Sequence, residues 1–498
     1  MAEDWQRHDP RSYGAELDGV ADDTIALTRW AAAGGYRTFP ALTARITASI
    51  PLISDTTIVF AQGALLTTAV PGISLLKAVS RENIHIRGGI FRQTRFDSAA
   101  HIGLIELTAC THCTVENIEG IGMQWGGVLL NGSQHCSVRG CSFHDWLGSV
   151  PDSADISVYR NSSYNTIADN TCYGGGQHGI MLQDPGGWAI PMRNTVTGNR
   201  VGPHSSYGIL LYNNDHADSY STVENNEVEG ITGTDLHGNA GAGIYIMGAG
   251  AVLVANNTVR NCCLKTTVNT LTPAGIGLNL DPGLAPVTVR GNVILDIANF
   301  YGIEVVHGPA IVTGNTVRFS SGAGANIGIY LNNASRTIVH ENNIWIDVSI
   351  PNGHGIFAFA SEADLTDIVI TNNFVRGTSV RGIRVDTTRE PRLTNVVVNG
   401  NNVMAGGVAS IPFHLANMTL ASVTGNVGMA GPAIALSLDN CTQTLISSNV
   451  LTSTGAAAVV MSGTNTGTCL DQTNFVDARS AVSRSLSLPP ATESRGRD

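Results

Sequence analysis

The sequence predicts an all-β chain wound as a single-stranded, right-handed parallel β-helix of about 13 rungs, with an N-terminal capping helix. Three observations predict it. A short motif ending in asparagine returns 13 times, two degenerate copies included; a Gly-Ile motif returns between its copies; and the composition barely changes along the chain. At 498 residues several domains would be usual, yet charged residues stay at 13% and Gly, Asn, Val and Ile recur throughout.

The first motif reads apolar-x-(Gly/Asn)-Asn-x-apolar. Examples are Val196-Thr-Gly-Asn199-Arg-Val201, Val223-Glu-Asn-Asn226-Glu-Val228 and Val254-Ala-Asn-Asn257-Thr-Val259. The series runs from the degenerate Val115-Glu-Asn-Ile118 to Ile446-Ser-Ser-Asn449, with steps of 23 to 35 residues. The second motif is Gly-Ile-x-apolar, as in Gly179-Ile-Met-Leu182, Gly208-Ile-Leu-Leu211 and Gly243-Ile-Tyr-Ile246. Each unit thus holds two or three short runs alternating with period two, bounded by Gly and Asn, which is a strand pattern. One such unit cannot bury its apolar face, whereas stacked units share a continuous core. The recurring Asn is expected to take the left-handed backbone at a bend and to hydrogen-bond its equivalent one rung away.

Taken in order, residues 1–54 form an entry segment with the capping helix, residues 55–475 the β-helix, and residues 476–498 a disordered tail. The helix is read at 22–33, with Asp22 and Asp23 at its start and Gly34-Gly35 at its stop. The tail is read from its Ser, Pro and Arg content. Nine cysteines are no disulfide framework, and Cys110-Thr-His-Cys113 has no second pair to complete a metal site, so buried, reduced thiols are expected. The net charge of −11 and the absence of a basic run exclude nucleic acid as a partner. No apolar run is long enough to insert in a membrane. The opening Met1-Ala-Glu-Asp-Trp5 is no signal peptide, so the expected location is cytoplasmic, or outside the cell by release without one, as for a virion protein.

At this point the residues carry a resemblance. Tyr13-Gly-Ala-Glu-Leu-Asp-Gly-Val-Ala-Asp-Asp-Thr-Ile-Ala-Leu27 resembles the entry motif of the pectate-lyase-like superfamily, which includes polygalacturonase-like hydrolases and phage tailspike depolymerases. With the rungs, the resemblance covers about residues 11–470. It implies a polysaccharide or oligosaccharide substrate, and through the tailspikes a homotrimer. His178-Gly179-Ile180 is similar to the Gly-His-Gly-apolar rung of polygalacturonase-like hydrolases. Their adjacent aspartates are replaced here by Ala154-Asp155, Trp125-Gly-Gly-Val128 lacks the expected aspartate, and the Arg-x-Lys of a later rung is missing. Only His178 carries over.

Function is therefore sought on the outward face of the Gly-Ile strands. Its positions read Ser157, Met181, Leu210, Tyr245 and Glu304, then Tyr159, Gln183 and Tyr212 two residues further on. Sugar rings stack on such aromatics. Glycoside hydrolysis needs two carboxylates, and rung spacing offers either of the separations it uses. The candidates are Asp155, Asp184 and Asp215, with His178 orienting or binding; Tyr159, Tyr212, Tyr245 and Glu304 would contact substrate. Trp188 and Arg193 join them from the long insertion Asp184–Arg193, since function concentrates on such loops. Each aspartate could equally cap a turn, and His178 could equally be a packed ring. No cofactor or metal is called for. A lyase using arginine, a non-catalytic glycan-binding spike or adhesin, and a sugar epimerase or fructan-type transferase remain alternatives on the same scaffold.

Overall fold

The computed structural model describes residues 8–97, 102–148, 150–184, 191–233, 241–263, 273–298, 300–320, 326–347, 349–362, 364–387, 393–455, 457–477 and 480–484, with backbone alone at 214–215 and 480–484. The chain divides into two compact units, Met1–Glu304 and Val305–Asp498.

In the first unit every turn lays down three short strands, and each strand pairs in parallel with its equivalent in the next turn. Residues Thr195–Thr197, Arg200–Val201 and Tyr207–Asp218 make one turn, and Thr222–Glu224, Glu227–Glu229 and Ala242–Gly250 the next. The registers stack like on like: Val196 on Val223 on Val254, Val201 on Val228 on Val259, and Ile180 on Ile209 on Ile244. All of these side chains are buried. Each contributes roughly 1.5–3 kcal/mol through burial. Asn170, Asn199, Asn226, Asn257 and Asn292 form the expected ladder, each amide nitrogen donating to the next amide oxygen at 2.9–3.0 Å. The same nitrogens donate to the carbonyls of Val138, Ile167, Val196, Val223 and Val254.

The ladder asparagine is not the left-handed residue. That backbone belongs to the position before it, at Asp169, Gly198, Asn225, Asn256 and Gly291. The preceding residue turns the corner, which is why Gly, Asn or Asp stands there, and the ladder Asn is thereby aimed inward.

The helix Thr24–Ala32 buries Ala26, Leu27, Trp30 and Ala31. It opens a column of rings: Trp30 meets Phe39 edge-on, Phe39 stacks on Phe60 at 4.9 Å, and Phe60 meets Phe91. The buried Asp23 carboxylate accepts the amides of Glu16 and Leu17, tying the entry segment to the helix start.

In the second unit Val312, Val339, Ile370, Val398, Val423 and Ile446 stack in the same way. Its ladder runs from Asn315 through Asn342, Asn373, Asn401, Asn426 and Asn449 to Asn474.

The β-solenoid has about 15 turns, more than the 13 read from the asparagines. The additional early turns carry no ladder Asn: strands Gly35–Phe39, Thr43–Ile46 and Ile50–Pro51 already form one, ahead of residue 55. At the other end Phe475–Asp477 and Ser480–Arg484 are strands paired with the preceding turn, so pairing extends past the residue 476 boundary. Residues 485–498 lie outside the described set. Eight of the nine cysteines are buried, and all are free thiols.

Removing one rung of the ladder tests this account. Asn226→Leu leaves the Asn199 amide and the Val196 carbonyl without their partner. At roughly 1–3 kcal/mol for each buried orphan, a loss of about 2–5 kcal/mol is expected in urea unfolding. The exposed Gln62→Ala, on ordinary backbone, should change stability by less than about 0.5 kcal/mol.

Candidate functional site

The outward face of the Gly-Ile strands in the first unit is where the alternation puts it, but much of it is enclosed. Met181, Leu210 and Tyr245 pack with Trp125, Val150 and Tyr207 in one apolar cluster. Tyr159, Tyr212 and Met247 lie half-buried along its edge. The register places Gln183 between Tyr159 and Tyr212, one rung from each. Two phenols with a carboxamide between them thus form a short polar row beside an apolar floor.

Asp152 and Asp184 frame this row. The phenols of both Tyr159 and Tyr212 are held above their ordinary value, by burial first and then by the charges of these two carboxylates, with Arg160 opposing at Tyr159. Asp184 is fully buried at the end of its strand, in register with Asn213. Asp152 is half-buried in the turn before the Asp155 strand, with its amide donating to Gln177 Oε1. Asp152 was missed by reasoning from the strands because it precedes the periodic run.

Asp155 does not join them. Its neighbours Ala154 and Ile156 pair with His178 and Ile180, so it occupies the place that Gly179 takes on the next rung. A Cβ at Gly179 would lie 2.4 Å from Val201 Cγ1, so this position faces the interior. There Asp155 Oδ1 accepts from Trp146 Nε1 at 2.7 Å, and Oδ2 lies 3.1 Å from His204 Nε2. His204 Nδ1 lies 2.9 Å from the Gly202 carbonyl, which can only accept, so Nδ1 carries a hydrogen. Burial raises the Asp155 carboxyl above its usual range, against the opposing pull of His204 and Trp146. Asp155 and His204, both fully buried, are braced together with the half-buried Trp146, out of reach of a polymer at the carboxylate, and neither His204 nor Trp146 was legible from the repeat.

His178 faces outward but is packed, its ring stacked on Tyr207 at 5.3 Å, with Tyr207 stacked on Tyr245 at 4.9 Å. Tyr245 is buried, its phenol pushed up to about 12 by burial first and then by Glu304, while Asn279 pulls the other way. Glu304 is itself buried beneath the surface. Arg193 is elsewhere: it lies between the rings of Tyr164 and Tyr220, at 5.7 and 5.6 Å, on the left-handed turn that leads into the Asn strands. Trp188 and the side chain of Asp215 fall outside the described residues. Among the described residues no three His, Cys, Asp or Glu side chains gather as a metal site.

The model of the right-handed β-helix region matches residues 87–263 and 242–426, more than half of the chain. The chain belongs to the right-handed β-helix family. No curated protein matches this β-helix chain. Among solved structures, the tailspike protein of E. coli bacteriophage HK620 in complex with pentasaccharide is 14% identical, over 94% of this chain and 81% of that one, at a TM-score of 0.51. The mannuronan C-5 epimerase AlgE6 A-module of Azotobacter vinelandii is 15% identical, over 67% and 99%, at 0.44. The surface adhesin PfbA of Streptococcus pneumoniae is 11% identical, over 98% and 96%, at 0.36. At 14% identity the likeness to the tailspike is one of fold.

The packed state of His178 in this β-helix has a measurable consequence. Burial first, and then His204, push its imidazole down to about 3. The unfolded chain binds that proton near pH 6.5 and the native chain only near 3, so stability falls as pH drops through this window. His178→Phe keeps a ring against Tyr207 and takes up no proton. Its loss of stability between about pH 7 and about pH 4.5 should be smaller than the parent's by about 2–3 kcal/mol in urea unfolding. Equal losses would show that the ring is not held neutral.

Proposed function

We propose that this chain binds a glycan along the row Tyr159–Gln183–Tyr212 of its first unit and hydrolyses it with Asp184 and Asp152. The observation that carries the reading is the placement of two half-exposed phenols about a carboxamide, with two carboxylates acting on both rings. Phenol faces take the apolar faces of sugar rings, while the amide can both donate to and accept from hydroxyls. The enclosed carboxyl of Asp184 suits proton donation to the glycosidic oxygen, and the more open Asp152 suits activation of a water. The pentasaccharide-bound tailspike, similar in fold, supports a glycan as ligand.

A second reading, a spike that binds glycan without cutting it, is favoured by one observation. Asp155, Asp184 and Glu304 are all buried, which restricts approach to a scissile bond. The roles of virion protein and homotrimer belong with either reading as proposals.

Incubation with a panel of neutral and uronate-containing polysaccharides, following reducing ends and absorbance of unsaturated products, separates the cases. Hydrolysis gives reducing ends alone, and Asp184→Asn should then lower turnover by about 10²–10⁴-fold with binding kept. Tyr159→Ala and Tyr212→Ala should each weaken binding by about tenfold. Rising absorbance would replace hydrolysis with elimination. Binding without any product would leave the spike.

A further inference from the structure

The second unit presents its own outward face, and its chemistry is different. Strands Ile327–Asn332, His354–Ala360, Arg381–Thr387 and Ile411–Ala416 pair in register there. His354 lies opposite Arg381, and Phe357 opposite Arg384, with His414 beyond it on the next rung. Phe359 lies opposite Asp386.

The two arginines are not equivalent. Arg384 lies 4.4 Å over the Phe357 ring and gives Asp386 a charged hydrogen bond, Nη2 to Oδ2 at 2.6 Å. Arg381 sits on the same face three residues earlier. Its Nη1 donates to the Val380 carbonyl at 2.9 Å, and among the described residues it forms no ion pair. Burial first, and then Arg384, hold its guanidinium below the ordinary value, with Asp386 opposing. A second carboxylate, Asp439, acts on His414 from the Asp386 end of the face, away from Arg381.

Two imidazoles complete the cluster. His354 is buried and its Nδ1 has no hydrogen-bond partner; the same holds for the buried Nδ1 of His414. Burial first, then Arg384 and Arg381, push His354 down to about 4. Burial first, and then Arg381, lower His414 as well, with Asp386 opposing. Both rings are therefore neutral near pH 7 and can hydrogen-bond without carrying charge, His414 with its Nε2 4.0 Å from Asp386 Oδ2. What remains is a guanidinium with no ion pair among the described residues, on a partly enclosed face, with two imidazoles and the half-buried rings of Phe357 and Phe359. A guanidinium fork matches a carboxylate in two parallel hydrogen bonds, and the aromatic edges add an apolar wall that a small inorganic anion would not use.

We propose that this face binds the carboxylate of an acidic sugar, with Arg381 pairing the carboxylate, His354 and His414 bonding hydroxyls, and Phe357 and Phe359 packing against the ring. It shares no residue with the Tyr159–Tyr212 row and stands whether or not that row cleaves or binds a glycan.

Calorimetric titration of the full chain with trigalacturonate, maltotriose and inorganic phosphate tests it. Trigalacturonate should bind, more weakly as salt is raised, and maltotriose and phosphate should each bind about tenfold or more weakly by comparison. Arg381→Met should weaken trigalacturonate by about tenfold or more, and Arg381→Lys, which keeps the charge without the fork, should fall between it and the parent. Melting curves establish that each variant is folded, and Arg381→Lys serves if Arg381→Met is not. The double variant Tyr159→Ala/Tyr212→Ala should keep the parent's affinity for trigalacturonate. The proposal is overturned if trigalacturonate does not bind, if phosphate or maltotriose binds as well, or if the folded arginine variants bind like the parent. Loss of binding in the tyrosine variant alone would place acidic-sugar recognition on the first unit instead.

Discussion

A carboxamide buried in a protein interior must have its donors and acceptor satisfied, and in this fold the satisfying partner is the same carboxamide one turn away. Asn199 can be buried only because Asn226 is there to accept from it, and Asn226 only because Asn257 is. Slipping one turn by a single residue would strand several such groups at once and turn the Val column from the interior to solvent. The cost of a slip is of the same size as the gain from the valines it displaces, and both act in the same direction. Register is thereby fixed without any disulfide, and the outward side chains of successive turns inherit that alignment.

This inheritance is why the fold was legible and the site less so. A repeat that must recur to be stable leaves its period in the sequence, so Val196, Asn199 and Ile209 announce themselves by position alone. The first turns escaped the count because aromatic stacking, Phe39 on Phe60, replaces the amide ladder there. Tyr159, Gln183 and Tyr212 were readable as outward residues, and they do share one row. Asp155 misled because one position of each strand, normally Gly, faces inward beside an inward Ile; period-two alternation fails at that corner. Arg193 was assigned by its loop, but its place is set by the rings of Tyr164 and Tyr220. Asp152 had no period to betray it.

The two units use one backbone pattern for opposite electrostatic ends. On the first, two carboxylates and Arg160, 5.7 Å over the Tyr159 ring, surround the tyrosine row, and burial drives the phenols toward their neutral forms. On the second, guanidinium groups dominate, and burial first and then their charge keep two histidines neutral. Neither difference disturbs the core columns, since inward and outward positions alternate and are chosen independently.

The equivalence of successive asparagines also makes length a free variable of this architecture. Excising residues 200–226 would join Asn199 to Glu227, and Glu227 is the residue that follows the equivalent Asn226. The shortened chain would present the same cross-section at the junction, the same donor meeting the same acceptor, with one turn of buried surface fewer. Duplication would run the process in reverse. A lineage built this way can lengthen or shorten by whole turns without inventing a new interface, and each added turn arrives with a fresh outward strip on which selection can write a different specificity.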